Sequence, residues 1–235
     1  MRPDGTRVRD LTAIMQALPH VMPKRYDAQN WAEEYLDEDA IRDYIRAKRR
    51  EGRTVTHMSL LVSAYYRAVL KNPKINYFVM NRRIYKRNHF CFSFVILKTR
   101  ADGTPDETSL KVYLEPEDTV FTVTEKIRST IEKNQNIQHN NDTDRFAKFV
   151  FGVPGLARAV FALAGFLDRH NLLPRSIIEL SPFHTSLFVT NLASINTPCI
   201  FHHCYEFGLP ACSSAWGGPS PTRWRRRASG RRSCL

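Results

Sequence analysis

The chain has little cysteine, and its first thirty residues contain no apolar run of the length that a signal peptide needs. Its five cysteines are an odd number without the spacing of a disulfide framework. These features exclude a disulfide-stapled secreted scaffold and favour reduced thiols. We therefore expect a cytoplasmic protein.

Acidic residues are absent after Glu206, and this makes the charge uneven. Half of the net charge of +12 lies after Pro210, where six arginines occur without an acid. Residues 211–235 also lack the apolar periodicity of a helix or strand, which predicts an irregular basic tail. Such a tail could bind nucleic acid or an acidic membrane, with Trp216 and Trp224 available for stacking, but a solvated tail is the simpler interpretation. We do not expect a nucleic-acid partner.

The remaining 1–210 segment can bury one substantial core. Apolar residues at helical spacing predict a surface helix over 37–50 and a core helix that Thr56 caps and Pro73 ends. Residues 89–98 are typical of a largely buried strand, and 109–115 of its partner in a hairpin.

Three more segments complete the predicted elements. A helix is predicted over 119–133, a polar loop over 134–144, and a last strand over 186–193. No repeat is found.

The apolar stretch 149–167 is nearly long enough to span a bilayer. Arg158 at its centre would cost about 2.5–3.5 kcal/mol on insertion, and Gly152 and Pro154 would break its first half. A buried or subunit-interface helix is favoured, and contact with a membrane surface is the second interpretation.

Three stretches, in this order, resemble the catalytic domain of the 2-oxo acid dehydrogenase acyltransferases, in the chloramphenicol acetyltransferase-like superfamily. Met22-Pro23 and the charged segment up to Arg50 resemble its opening strand and first helix. Residues 54–76 resemble the helix that leads to a Pro-x-x-Asn turn. Residues 181–194, SPFHTSLFVTNLAS, resemble its Phe-Thr-Ile-Ser-Asn-Leu-Gly strand.

The resemblance implies an α/β fold, a two-layer sandwich in which helices pack on a mixed β-sheet. It also implies a trimer with active sites between subunits, and transfer of an acyl group from a coenzyme A or lipoyl thioester to a small-molecule acceptor. A coenzyme A thioester is the favoured co-substrate, and no metal is required. Thr190 stands where the family has a hydroxyl that stabilises the oxyanion. As a β-branched strand residue, Thr190 could equally serve packing alone.

The family's general base lies in a His-x-x-x-Asp-Gly motif, and this sequence lacks it. HHCYEFG at 202–208 has Phe207 in place of the aspartate, and no histidine follows His203. His184, His202 and His203 are the nearby substitutes. We therefore expect no acyl transfer, and we expect domain 1–210 to be incomplete at its C-terminal end. A frameshift near Gly208 would explain a truncated catalytic region and a tail foreign to the fold.

Two further interpretations remain. Cys199, His202, His203 and Cys204 are residue types that bind zinc, but their spacing fits no standard pattern and adjacent strand residues face opposite ways. In the other interpretation, the chain has this fold but no catalytic activity and serves as an oligomeric scaffold.

Overall fold

The fold combines strands and helices, which occur in groups along the chain. The computed structural model describes residues 2–99, 105–135, 151–192, 197, 200, 206–208, 212–217 and 232–234. Its strands are β1 Gly5–Arg7, β2 Tyr35–Asp37, β3 Tyr77–Met80, β4 Arg83–Arg87, β5 Phe90–Thr99, β6 Pro105–Leu114, β7 Leu187–Asn191, β8 Cys212–Trp216 and β9 Arg232–Cys234. Its helices are α1 Ala13–Val21, α2 Glu38–Arg50, α3 His57–Lys71, α4 Val120–Gln135, α5 Leu156–Arg169 and α6 Arg175–Leu180.

A four-stranded sheet in the order β6-β5-β7-β8 forms the centre of the fold. β5 and β6 are antiparallel, whereas β7 runs parallel to both β5 and β8, so the sheet is mixed. Two smaller antiparallel sheets join β1, β4 and β3, and β2 with β9. The predicted α/β class with a mixed sheet is confirmed.

Helices α3 and α4 pack on one face of this sheet. The alternation along β5 directs Phe90, Phe92 and Phe94 into a buried cluster with Val62 of α3 and Val123 of α4. α3 begins where predicted because the Thr56 hydroxyl accepts a hydrogen bond from the Ser59 amide, and Ser59 returns one to the Thr56 amide. The helix layer and the sheet therefore share one hydrophobic core.

The hairpin is longer than its sequence indicates. β6 begins at Pro105 rather than at residue 109, because the register continues from Phe90 opposite Leu114 to Thr99 opposite Pro105. Polar side chains at the start of β6 do not prevent pairing, since the ladder uses only backbone groups. The loop predicted over 134–144 lies outside the described residues, apart from its first two.

The prediction of an irregular tail is wrong for residues 212–216 and 232–234. Cys212–Trp216 pairs with β7 in parallel, from Leu187 opposite Cys212 to Asn191 opposite Trp216. Arg232–Cys234 pairs with β2. Short strands of small or polar residues carry no apolar periodicity, so the sequence pattern could not reveal them. The rest of the tail lies outside the described residues.

The N-terminal part of the resemblance also needs a correction. Met22 and Pro23 follow helix α1 instead of forming an opening strand, and the strand that precedes α2 is β2. α2 itself begins as predicted, because the Asp37 carboxylate accepts hydrogen bonds from the Asp39 and Ala40 amides.

The apolar stretch 149–167 contributes helix α5, which starts only at Leu156. Gly155 has a φ of +82°, a left-handed conformation that separates the helix from the preceding residues. Within one chain most of α5 is exposed, including Phe161 and Leu163. Of the expected buried or subunit-interface helix, the subunit-interface alternative therefore stays a prediction. Among the described residues, no helix combines the length and the apolar character needed to cross a bilayer.

Candidate active site on strand β7

Thr190 lies near the end of β7, as the resemblance predicts. Leu187 and Val189 face the core, whereas Phe188 and Thr190 are half-buried on the opposite face. Asn191, the last residue of the strand, is exposed. Thr190 lines neither of the two cavities described below. The role of Thr190 as the oxyanion position therefore stays a prediction.

A histidine that no sequence motif marks lies near this end of strand β7. His57, the first residue of α3, lines a small cavity with Val189 and Asn191. Burial lowers the pKa of His57, and Arg42 adds to this effect, while Glu38 opposes it. The imidazole is thus neutral at neutral pH and chemically able to accept a proton.

His57 lines two cavities of very different size. The cavity between this histidine and Asn191 has a volume of about 20 Å³, which is room for about one water molecule, so a thioester and its acceptor cannot both enter it. The other is the larger cavity described below. Thr190 lines neither cavity, so His57 and Thr190 do not face a common substrate space in the described part of the chain.

The imidazole of His184 is inaccessible because it is buried. It is only 1% exposed, and both ring nitrogens have partners: Nδ1 lies 2.9 Å from Ser181 Oγ and Nε2 lies 3.1 Å from Asp168 Oδ2. Phe207 packs edge-on against its ring, with the centroids 5.6 Å apart. A buried imidazole with both nitrogens engaged cannot reach a bound acceptor, so His184 is not a substitute base.

Asp168 connects His184 to a buried network of charges. Asp168 Oδ1 lies 2.8 Å from an Arg2 guanidinium nitrogen, and Arg2 Nε lies 2.6 Å from Asp4 Oδ1. Asp4 also pairs with Arg87 of β4 at 3.4 Å. Burial raises the pKa of Asp168, but the hydrogen bond from His184 and the charge of Arg2 outweigh it, and the net pKa is lowered. The network joins the N-terminal segment, β4, α5 and the approach to β7.

A second, much larger cavity lies between α2, α3 and the edge strand β8. Its volume is about 950 Å³, and Cys212 and Tyr65 lie in its wall. Burial and the neighbouring Cys212 thiol raise the pKa of Tyr65 far above its usual value, so the phenol stays protonated at neutral pH. No sequence motif marks this cavity, because its lining residues come from well-separated segments of the chain.

The zinc interpretation concerns residues that the structure does not describe. Among the residues that the structure describes, no cluster of His, Cys, Asp and Glu could hold a metal ion. Cys199, His202, His203 and Cys204 lie outside that part of the chain.

Comparison with known proteins gives only structural similarity. No protein-family model and no curated sequence matches the chain. The structure is similar to a probable dihydrolipoamide acetyltransferase from Listeria monocytogenes, with a TM-score of 0.46, 14% identity, and coverage of 97% of this chain and 84% of the other.

Two assembled cores give similar values. The cubic core of a pyruvate dehydrogenase complex has a TM-score of 0.48 and 10% identity, covering 97% of this chain and 80% of that one. A truncated 2-oxoacid dehydrogenase catalytic core from Thermoplasma acidophilum has the same score and identity, with 97% and 85% covered. The similar structures are acyltransferase cores. We draw no functional conclusion from scores of this size.

Some residues of the candidate site could be predicted from the sequence, and others could not. Thr190 and Asn191 were found from a motif that lies within one strand. His57 was visible only as a helix-starting residue, and its approach to β7 depends on how α3 packs on the sheet. Asp4 pairs with Arg87 across 83 positions and Arg2 with Asp168 across 166, and no local sequence pattern indicates either pair.

Proposed function

We propose that the chain is an acyltransferase-type domain that retains the oxyanion position at Thr190 but does not catalyse acyl transfer as its sequence stands. Its co-substrate class would be a coenzyme A or lipoyl thioester, with a small-molecule acceptor. The observation that carries the proposal is that neither His184 nor His57 shares a substrate space with Thr190. His184 is buried with both ring nitrogens engaged, and neither of the two cavities that His57 lines includes Thr190.

The loss of a base has a large expected effect on rate. General acid–base catalysis contributes roughly 10²–10⁴-fold, and a serine or threonine hydroxyl beside an oxyanion cannot replace it. The His-x-x-x-Asp-Gly motif is absent from the whole sequence, so it cannot be supplied by residues outside the described part.

We expect the purified chain to release coenzyme A from acetyl-CoA, with dihydrolipoamide as acceptor, no faster than buffer does. His57→Ala and Thr190→Ala should leave this rate unchanged. His20→Ala, on exposed helix α1, is the matched control for histidine removal. A rate well above that of buffer, lost in His57→Ala but kept in His20→Ala, would overturn the proposal.

We also propose that the chain associates with itself through helix α5. This helix exposes Val160, Phe161, Leu163 and Phe166 to solvent, an apolar surface of the kind that marks an interface. Self-association, with a trimer as the expected form, would cover these side chains. Contact with a membrane surface through 149–167 is the alternative.

Leu163→Glu is expected to shift the chain towards the monomer in sedimentation velocity, because it places a charge in the apolar interface. Val21→Glu is the matched control, since Val21 is also exposed but lies on α1. If the unmodified chain is a monomer and instead sediments with anionic vesicles, the membrane interpretation replaces this one.

A further inference from the structure

The large cavity beside β8 has the size of a ligand site, and Thr190 is not among its described lining residues. Small-molecule pockets measure roughly 300–1,000 Å³, and this one, at about 950 Å³, lies at the upper end. It opens between the first turns of α2, the outer face of α3 and the edge strand β8. The segment 30–34, which precedes β2, forms another wall.

Most of the cavity wall is apolar and includes aromatic side chains. Leu60, Leu61 and Tyr65 of α3 face Leu36 and Trp31 across it. Trp31 is 47% exposed, and a ligand in the cavity would cover part of this exposed surface. A wall of this composition binds an apolar body and buries it from water.

The charges in the wall have one sign. Glu33 and Glu34 line the cavity, and none of its described lining residues is Lys or Arg. This is notable in a chain with a net charge of +12. His57 also lines the cavity, but its lowered pKa leaves it uncharged at neutral pH. The Glu34 carboxylate therefore favours a cation over an anion at this side of the cavity.

From this combination we propose that the cavity binds a small molecule with an apolar body and an ammonium end. The body lies against the apolar wall, and the ammonium lies between the Glu33 and Glu34 side and the Trp31 ring. A carboxylate offsets the cost of removing an ammonium from water, and the face of a tryptophan attracts a cation. The aromatic Tyr44 in the same wall already has the Lys48 ammonium 5.7 Å from its ring centroid.

Three eight-carbon probes that differ in their head group separate the contribution of charge to binding from the contribution of apolar contact. We expect octylamine to bind to the full chain in calorimetric titration at low salt, more tightly than octanol by about tenfold, with octanoate weakest. Glu34→Gln should bring the affinities for octylamine and octanol closer together, because the difference arises from the carboxylate. Equal affinities for octylamine and octanol, or tighter binding of octanoate, would overturn the proposal.

Filling the cavity tests the location independently of charge. Ala64 of α3 lines the cavity, and Ala47 is an exposed alanine of α2 that does not. We expect Ala64→Phe to weaken octylamine binding about tenfold or more and Ala47→Phe to leave it unchanged. Ala40→Phe, also in the wall, serves if Ala64→Phe does not fold. Unchanged binding in a folded cavity-filling variant, or no saturable octylamine binding to the unmodified chain, would contradict the proposal. Neither outcome depends on acyl transfer.

Discussion

Phe92→Ala is expected to lower the free energy of unfolding by about 3–5 kcal/mol in urea titration. Phe92 lies in the middle of β5 and is 0% exposed. It is opposite Val112 on one side and Leu187 on the other, and its ring stacks on Phe94 with centroids 5.8 Å apart. Removal of the ring leaves a cavity among strands that are held in register and cannot close in on it.

Two variants of the same strand provide the comparison. Leu97→Ala should change the free energy of unfolding by no more than about 0.5 kcal/mol, since Leu97 is 61% exposed. Phe92→Leu should fall between the two, because it keeps most of the apolar volume. If Phe92→Ala were no more destabilising than Leu97→Ala, β5 would not lie at the centre of the core.

Asp168→Ala is expected to lower the free energy of unfolding by about 3–5 kcal/mol, because it removes a carboxylate that compensates a buried charge. The carboxylate pairs with Arg2 and accepts from His184, and all three side chains are buried. In the variant, Arg2 keeps its ion pair with Asp4 but shares that carboxylate with Arg87, and His184 Nε2 loses its partner. Thermal and urea unfolding at neutral pH would measure the loss.

An exposed ion pair is the matched control for Asp168. Glu179 accepts a hydrogen bond from Arg175 at 2.6 Å on the surface of α6, and Glu179→Ala should cost no more than about 1 kcal/mol. Similar losses in Asp168→Ala and Glu179→Ala would mean that the buried network does not hold the N-terminal segment in place.

The buried network of Asp168, Arg2 and His184 makes the folded state less stable at acid pH. The pKa of Asp168 is lowered in the folded state from its model-peptide value of 3.8. Its contribution is therefore fully present above about pH 4 and is lost as the pH falls through the lower folded pKa. Asp168→Asn should flatten this part of the stability profile.

Elements with a strong local pattern were predictable from the sequence. Helix α3 has its capping box at Thr56 and its stop at Pro73, and strand β5 alternates phenylalanines over its length, so both were found within a residue or two. In each case the signal is contained within one element. The strand with Thr190 was found in the same way.

Features that depend on the meeting of distant segments were not predictable. β8 contains two serines and an alanine and becomes a strand because β7 offers an unpaired edge. The ion pair between Arg2 and Asp168 joins residues 166 positions apart. The cavity beside β8 likewise exists only after α2, α3 and β8 are assembled, so no sequence motif marks it.

The most direct test of the central claim is the pH profile of coenzyme A release from acetyl-CoA, between about pH 5 and pH 9, with the chain compared to buffer alone. We predict that the two rates coincide throughout, because His184 is buried and neither cavity that His57 lines includes Thr190. A working base at His57 would instead give a rate that rises with a midpoint below the usual histidine pKa of 6.5 and then levels off. That rise, absent in His57→Ala, would contradict the account.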